Sequence, residues 1–168
     1  MALTLLSSGV DTLHLSARGG VRAEVLEALE AAKREAQATE DAVPFEFPMT
    51  GQAFLLKPYG LRGYGLWLAS PDFELLLGRG ARFPAALVQL HAAYLHSMGA
   101  EWALRLVEQL LRLEVFGGPP ELVVSRVDLY ADTQGWDLEL ADLRCFVCRG
   151  AGAGPSWIGS RPSPRAGG

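Results

Sequence analysis

Apolar and polar residues change period several times along this chain, and the changes outline its elements. From Val10 to Ser16, Thr12, His14 and Ser16 oppose Leu13 and Leu15, the two-residue period of a first strand that ends at Gly19-Gly20. Residues 21–39 switch to helical spacing, with Val21, Val25, Leu26, Leu29 and Ala32 set against Glu24, Glu27, Glu30, Lys33, Arg34 and Glu35. Residues 40–50 read as a loop in which Pro44 and Pro48 hold Phe45 and Phe47 against a core. The segments 53–57 and 64–69 flank a turn, Pro58-Tyr59-Gly60-Leu61-Arg62-Gly63, and predict a β-hairpin. A further strand is expected at Phe73–Leu77, bounded by Ser70-Pro71-Asp72 and Gly78-Arg79-Gly80, and this meander implies an antiparallel sheet.

Residues 85–96 fit both periods. A strand to about Ala92, then a turn at Ser97-Met98-Gly99, is the expectation taken here. Residues 100–115 predict a helix whose stripe is Trp102, Leu106, Leu110 and Leu113, widened by Ala103, Val107 and Leu111 and stopped by Gly117-Gly118-Pro119-Pro120. A strand over 123–132, a turn at 133–135 and a helix over 138–148 complete the pattern. This order gives an α+β domain over residues 1–150: a single, mainly antiparallel sheet with its helices mostly on one face. Residues 151–168, rich in Gly, Pro and Ser and without period, are expected to be a disordered tail.

The strand over 123–132 has unusual chemistry. Val123, Ser125, Val127, Leu129 and Ala131 form a small apolar face suited to burial. Val124, Arg126, Asp128, Tyr130 and Asp132 form the other. Asp gains little on a pleated surface and competes for backbone hydrogen bonds. Two Asp, an Arg and a Tyr together therefore suggest a functional face, with solvated surface as the alternative.

Composition narrows the options. The apolar fraction of 49% and charged fraction of 20% are those of an ordinary globular domain. Net charge is −4; the last 18 residues contribute Arg161 and Arg165 and no acid, so residues 1–150 carry −6. Any nucleic-acid-binding face must then be a local patch on an acidic body. Cys145 and Cys148 lack a second pair or nearby histidines, which argues against zinc. No apolar run reaches 18 residues and the N-terminus lacks a signal-peptide pattern, so the expectation is a cytoplasmic protein without a membrane partner.

At Ser125-Arg126-Val127-Asp128-Leu129-Tyr130-Ala131-Asp132 the chain resembles the replication initiation factor family of plasmids and phages, rolling-circle initiators that nick one DNA strand through a tyrosine and a divalent metal. Leu87-Val88-Gln89-Leu90-His91-Ala92-Ala93-Tyr94-Leu95 resembles that family's upstream segment. Asp142-Leu143-Arg144-Cys145-Phe146-Val147-Cys148-Arg149 resembles its following helix. The likeness covers about residues 45–150. It implies DNA at a plasmid or phage origin as the partner and Mg²⁺ or Mn²⁺ as the cofactor. In that family the nicking tyrosine and further acids come later in the chain, which implies an N-terminal portion with a C-terminal segment missing.

The candidate site follows from what nicking requires: a nucleophile, a metal with hard oxygen ligands, and cations on the strand. Asp128 and Asp132 lie about 13 Å apart on an extended strand, at ~3.3 Å per residue, so at most one can bind a given ion. Asp128 is favoured and Asp132, at the start of a turn, is the alternate. The second ligand must come from a neighbouring strand, with Gln89 or His91 the candidates. Tyr130 shares the face of Asp128 at about 6.6 Å and is a weak candidate nucleophile. Arg126 either holds phosphate or pairs with Asp128. Lys57, Arg62, Arg79 and Arg82, in glycine-rich loops, are the candidate phosphate-binding rim. Tyr59, Tyr64 and Trp67 can stack on bases or pack in the core. The competing reading is a non-catalytic α+β interaction module with no nucleic-acid role.

Overall fold

The computed structural model describes residues 4–78 and 83–135. Seven strands form one antiparallel sheet: β1 (Thr4–Arg18), β2 (Val43–Glu46), β3 (Ala53–Leu56), β4 (Leu66–Ala69), β5 (Phe73–Leu77), β6 (Ala86–Leu90) and β7 (Glu121–Gln134), in the order β2-β3-β4-β5-β6-β1-β7. Helix α1 (Ala23–Thr39) follows β1, and α2 (Ala92–Met98) and α3 (Ala100–Leu110) join β6 to β7. The α+β class and the three-strand meander β3 to β5 are as expected, and β6 extends that meander. The strand order is not a simple meander: β1, first in the chain, is inserted between β6 and β7.

The core lies on one face of the sheet. Leu13, Leu15 and Ala17 of β1, Phe73, Leu75 and Leu77 of β5, and Ala86, Val88 and Leu90 of β6 pack against Val25, Leu29 and Ala36 of α1 and Ala103, Val107 and Leu110 of α3. Each set follows its element's own period, two in the strands and 3.6 in the helices. Glu40 ends α1 in the left-handed region at φ 54°, its N–H donating to the Ala36 carbonyl.

Several elements depart from expectation. The loop over 40–50 contains β2, where Pro44 is tolerated because β2 is an edge strand. Its aromatics do reach the core: Phe45, Phe47, Phe54 and Phe73 form a run of edge-to-face contacts with centroids 5.2–5.8 Å apart, continued by Tyr94 at 6.1 Å from Phe73. Residues 92–98 are a helix rather than the end of a strand, because β6 stops at Leu90 and Leu95 turns into the core.

Helix α3 runs into a π-helical turn at Leu111–Phe116 that shifts the buried stripe by a residue, to Leu111, Glu114 and Val115. Trp102, expected in the stripe, is exposed. The buried Glu114 carboxylate accepts the Thr50 N–H at 2.5 Å and ties this turn to the β2–β3 connection.

The largest correction concerns β7. Its apolar set was expected to be buried, but among the described residues β7 is the sheet edge, and the helix side meets it only at points such as Leu122 against the core and Tyr130 against His96 of α2. Val123, Val127, Leu129 and Ala131 are exposed, Leu129 at 75%. Asp132, expected to begin a turn, pairs within the strand opposite Ser7. The ladder to β1 also slips by one residue at Ser125, between the pairs His14–Arg126 and Leu15–Val124. This bulge interrupts strict alternation, so Leu122 packs against the core while Val123 lies opposite Ser16. The cysteine-containing helix expected over 138–148 and the tail over 151–168 lie outside the described residues.

Candidate functional site

The sheet face opposite the helices carries a polar row produced by the strand order. Across four adjacent strands the register aligns Glu74 of β5, Gln89 of β6, His14 of β1 and Arg126 of β7. One step along, Thr12 stands opposite Asp128. Directly opposed residues in an antiparallel sheet have Cβ atoms roughly 4.5–5.5 Å apart. Three polar side chains and a guanidinium from distant parts of the chain are thus neighbours.

A loop completes one end of the row. Residues 57–65, between β3 and β4, fold over this face through the paired Leu61 and Tyr64, whose backbones exchange hydrogen bonds of 3.1 and 2.9 Å. Tyr64 and Leu76 are buried yet stand apart from the helix-side core. The fold of this loop demands glycine at 60, where a Cβ would lie 2.0 Å from the Tyr64 carbonyl oxygen. Arg62, at the loop's tip with φ 54°, reaches back to the sheet and donates from Nη1 to Gln89 Oε1 at 3.0 Å. Gln89 is 8% exposed, and its Nε2 has no hydrogen-bond partner among the described residues. Lys57 Nζ lies 5.8 Å from the Trp67 ring centroid, a cation–π contact at the same end of the sheet.

Electrostatics ties these groups together. Arg126 grips Asp128 with both arms, Nε to Oδ1 at 3.1 Å and Nη2 to Oδ2 at 2.6 Å. That fork holds the Asp128 carboxyl below the usual carboxylate range against the opposing effect of burial, with help from the Thr12 hydroxyl and His14. The same pairing holds Arg126 in its charged form. Burial pushes the His14 imidazole below its ordinary value, and the charges of Arg126 and Arg62 push the same way. Asp128 and Glu74 partly offset them. Burial and the two guanidinium groups thus both favour the uncharged form of the His14 ring.

Other candidate residues lie elsewhere. Because β1 intervenes, β6 is not the neighbour of β7, and neither Gln89 nor His91 stands on a strand paired with that of Asp128. His91 stands at the N-cap position of α2 without a side-chain cap and is tied instead to the β4–β5 turn: its backbone N–H donates to Asp72 O at 3.0 Å, and Nδ1 donates to the Pro71 carbonyl at 3.0 Å. Asp132 accepts from Ser7 Oγ at 3.1 Å. Tyr130 lies over Gly9 and packs against the His96 ring, centroids 4.5 Å apart, while His96 Nε2 is 3.7 Å from Asp11. Arg79 and Arg82 fall outside the described residues.

The fit to a divalent ion can be tested on these contacts. Both Asp128 oxygens are held by Arg126, and no group of three or more His, Cys, Asp or Glu side chains among the described residues could hold a metal ion. The described residues do not by themselves make a Mg²⁺ or Mn²⁺ ligand set.

What the arrangement can do is bind an anion or a polar strand. Arg62 and Arg126 each keep unused guanidinium donors, whereas Gln89 Nε2 is buried beneath that surface and the residue serves to seat Arg62 through its Oε1. His14, Thr12 and Glu74 were not singled out as site residues from the sequence. The available signal was the Thr12/His14/Ser16 polar set of the first strand, which gains meaning only once β1 is known to sit beside β7. No helix among the described residues is long and apolar enough to cross a membrane. No family model, curated protein or solved structure matches the chain.

Proposed function

We propose that the chain binds DNA across the open face of its sheet, in the manner of the plasmid and phage replication initiation proteins that its Arg126–Asp132 strand resembles. One observation carries this reading. The insertion of β1 beside β7 gathers Arg62, Gln89, His14 and Arg126 into one row that no helix among the described residues covers. Guanidinium forks suit phosphate oxygens, and an imidazole held toward its uncharged form can donate or accept without adding repulsion. Lys57 and Trp67 extend the surface with a cation and a ring on which a base can stack. The chain's net negative charge confines binding to this patch, so the contact count is small and the affinity modest.

The test is fluorescence anisotropy of a labelled single-stranded oligonucleotide against salt concentration. Affinity should fall as salt rises, and the Arg62→Ala/Arg126→Ala variant should bind more weakly with a shallower dependence, by about one or two units of slope in log–log form. Absence of binding at low salt would remove this reading. It would favour a protein-interaction module instead, for which the exposed apolar edge of β7 is the specific support.

A further inference from the structure

The outer edge of β7 carries a second, independent message. This edge strand is 14 residues long, and among the described residues only β1 pairs with it. Long apolar edges invite strand addition, and folded proteins generally blunt them. Here Val127 at 50% and Leu129 at 75% stand open on the face where the helices end.

We propose that β7 pairs with β7 of a second copy of this chain, antiparallel about a two-fold axis through Leu129, so that two sheets join into one. The choice of partner comes from self-complementarity. Of the three register shifts in the β1–β7 ladder, only that at Ser125 places its extra residue on β7, while those at Val10/Thr12 and Leu5/Ser7 place theirs on β1, so Arg126–Asp132 runs without a bulge of its own. Centred on Leu129, that segment sets Arg126 opposite Asp132 of the partner subunit at both ends. It sets Asp128 opposite the partner's Tyr130, Val127 opposite the partner's Ala131, and the two Leu129 side chains against each other. Every opposed pair is then opposite in charge, hydrogen-bonding or apolar, the combinations that stabilise cross-strand neighbours.

Neighbouring registers fail. Moving the axis to Asp128 opposes two Asp128 carboxylates, and moving it to Tyr130 opposes Asp128 and the partner's Asp132. An axis at Val127 runs the ladder into the bulge. Main-chain hydrogen bonds would supply affinity and the charges would fix register, as in other strand-addition interfaces. The contact is isologous and closes after two copies, so it does not propagate into fibres.

Sedimentation equilibrium on the full chain tests this. The unmodified protein should show a concentration-dependent dimer. Leu129→Lys should shift it to monomer. Arg126→Asp and Asp132→Arg should each weaken association by about tenfold or more, because two like-charged pairs then face each other.

The double variant Arg126→Asp/Asp132→Arg should restore the dimer. Within one chain Arg126 pairs with Asp128 and Asp132 with Ser7, so that rescue requires contact between copies. Circular dichroism identifies any variant that fails to fold, and Val127→Lys then replaces it. Three results would overturn the proposal: a monomer at all concentrations, a dimer indifferent to Leu129→Lys and Val127→Lys, or no rescue in the double variant. A monomer would leave the edge to residues 136–168 or to a different protein.

Discussion

His14 faces Arg126 directly across the β1–β7 ladder, with Gln89 on its other flank. The relationship makes the imidazole a reporter of the whole row. Its value lies below the ordinary one because of burial and the neighbouring guanidinium groups. A base depressed in the folded state contributes stability above its unfolded value, about 6.5, and loses it as the pH falls through that range. The His14 ring should therefore titrate in NMR below the ordinary value, and Arg126→Gln should move it up. His14→Gln should flatten the fall in urea midpoint between about pH 7 and pH 5. A titration indifferent to Arg126 would mean that β1 and β7 are not paired in this register.

Asp128 gives a second, lower window. Its carboxyl is held down chiefly by the Arg126 fork. Its contribution is present above the carboxylate range and lost as the pH falls through it. Arg126→Gln should raise the Asp128 value in a carboxyl-carbon titration, whereas Arg105→Gln, which removes an unrelated surface pair with Glu101, should leave it unmoved.

Gly60 tests whether the loop builds the site. Any Cβ there meets the Tyr64 carbonyl at 2.0 Å, so Gly60→Ala must open the 57–65 turn. Oligonucleotide affinity should drop to about that of Arg62→Ala although Arg62 is still present. Unchanged affinity would show that Arg62 acts independently of its contact with Gln89.

Two core substitutions separate the faces of the sheet. Phe73→Ala removes the hub of the aromatic run and should cost about 3–5 kcal/mol in denaturant unfolding. Replacing Leu76, buried away from the helix-side core, by Ala should cost about 2–5 kcal/mol if the loop shields that face. A loss well under 1 kcal/mol at Leu76 would mean that the loop is not seated.

The local elements were legible because their patterns are local. Helix α1 and strands β3 to β5 follow from spacing alone, and Arg126–Asp132 is extended as its alternation predicts. The strand order was not legible, since nothing in Thr12-Leu13-His14 states that this segment lies between β6 and β7. That one fact moved the candidate site: it separated His91 from Asp128, put His14 beside Arg126, and left the apolar side of β7 bare. Helix α2 was missed for a related reason. Residues 85–96 satisfy both periods, and only the end of pairing at Leu90 decides between them.

A backbone amide shift map of the chain titrated with a short single-stranded oligonucleotide at low salt addresses the open-face reading without any substitution. The expected result is that the largest changes fall at His14, Gln89, Arg126 and residues 61–63, with α1 and α3 unmoved. Changes confined to the helix side of the sheet, or none at all, would contradict it.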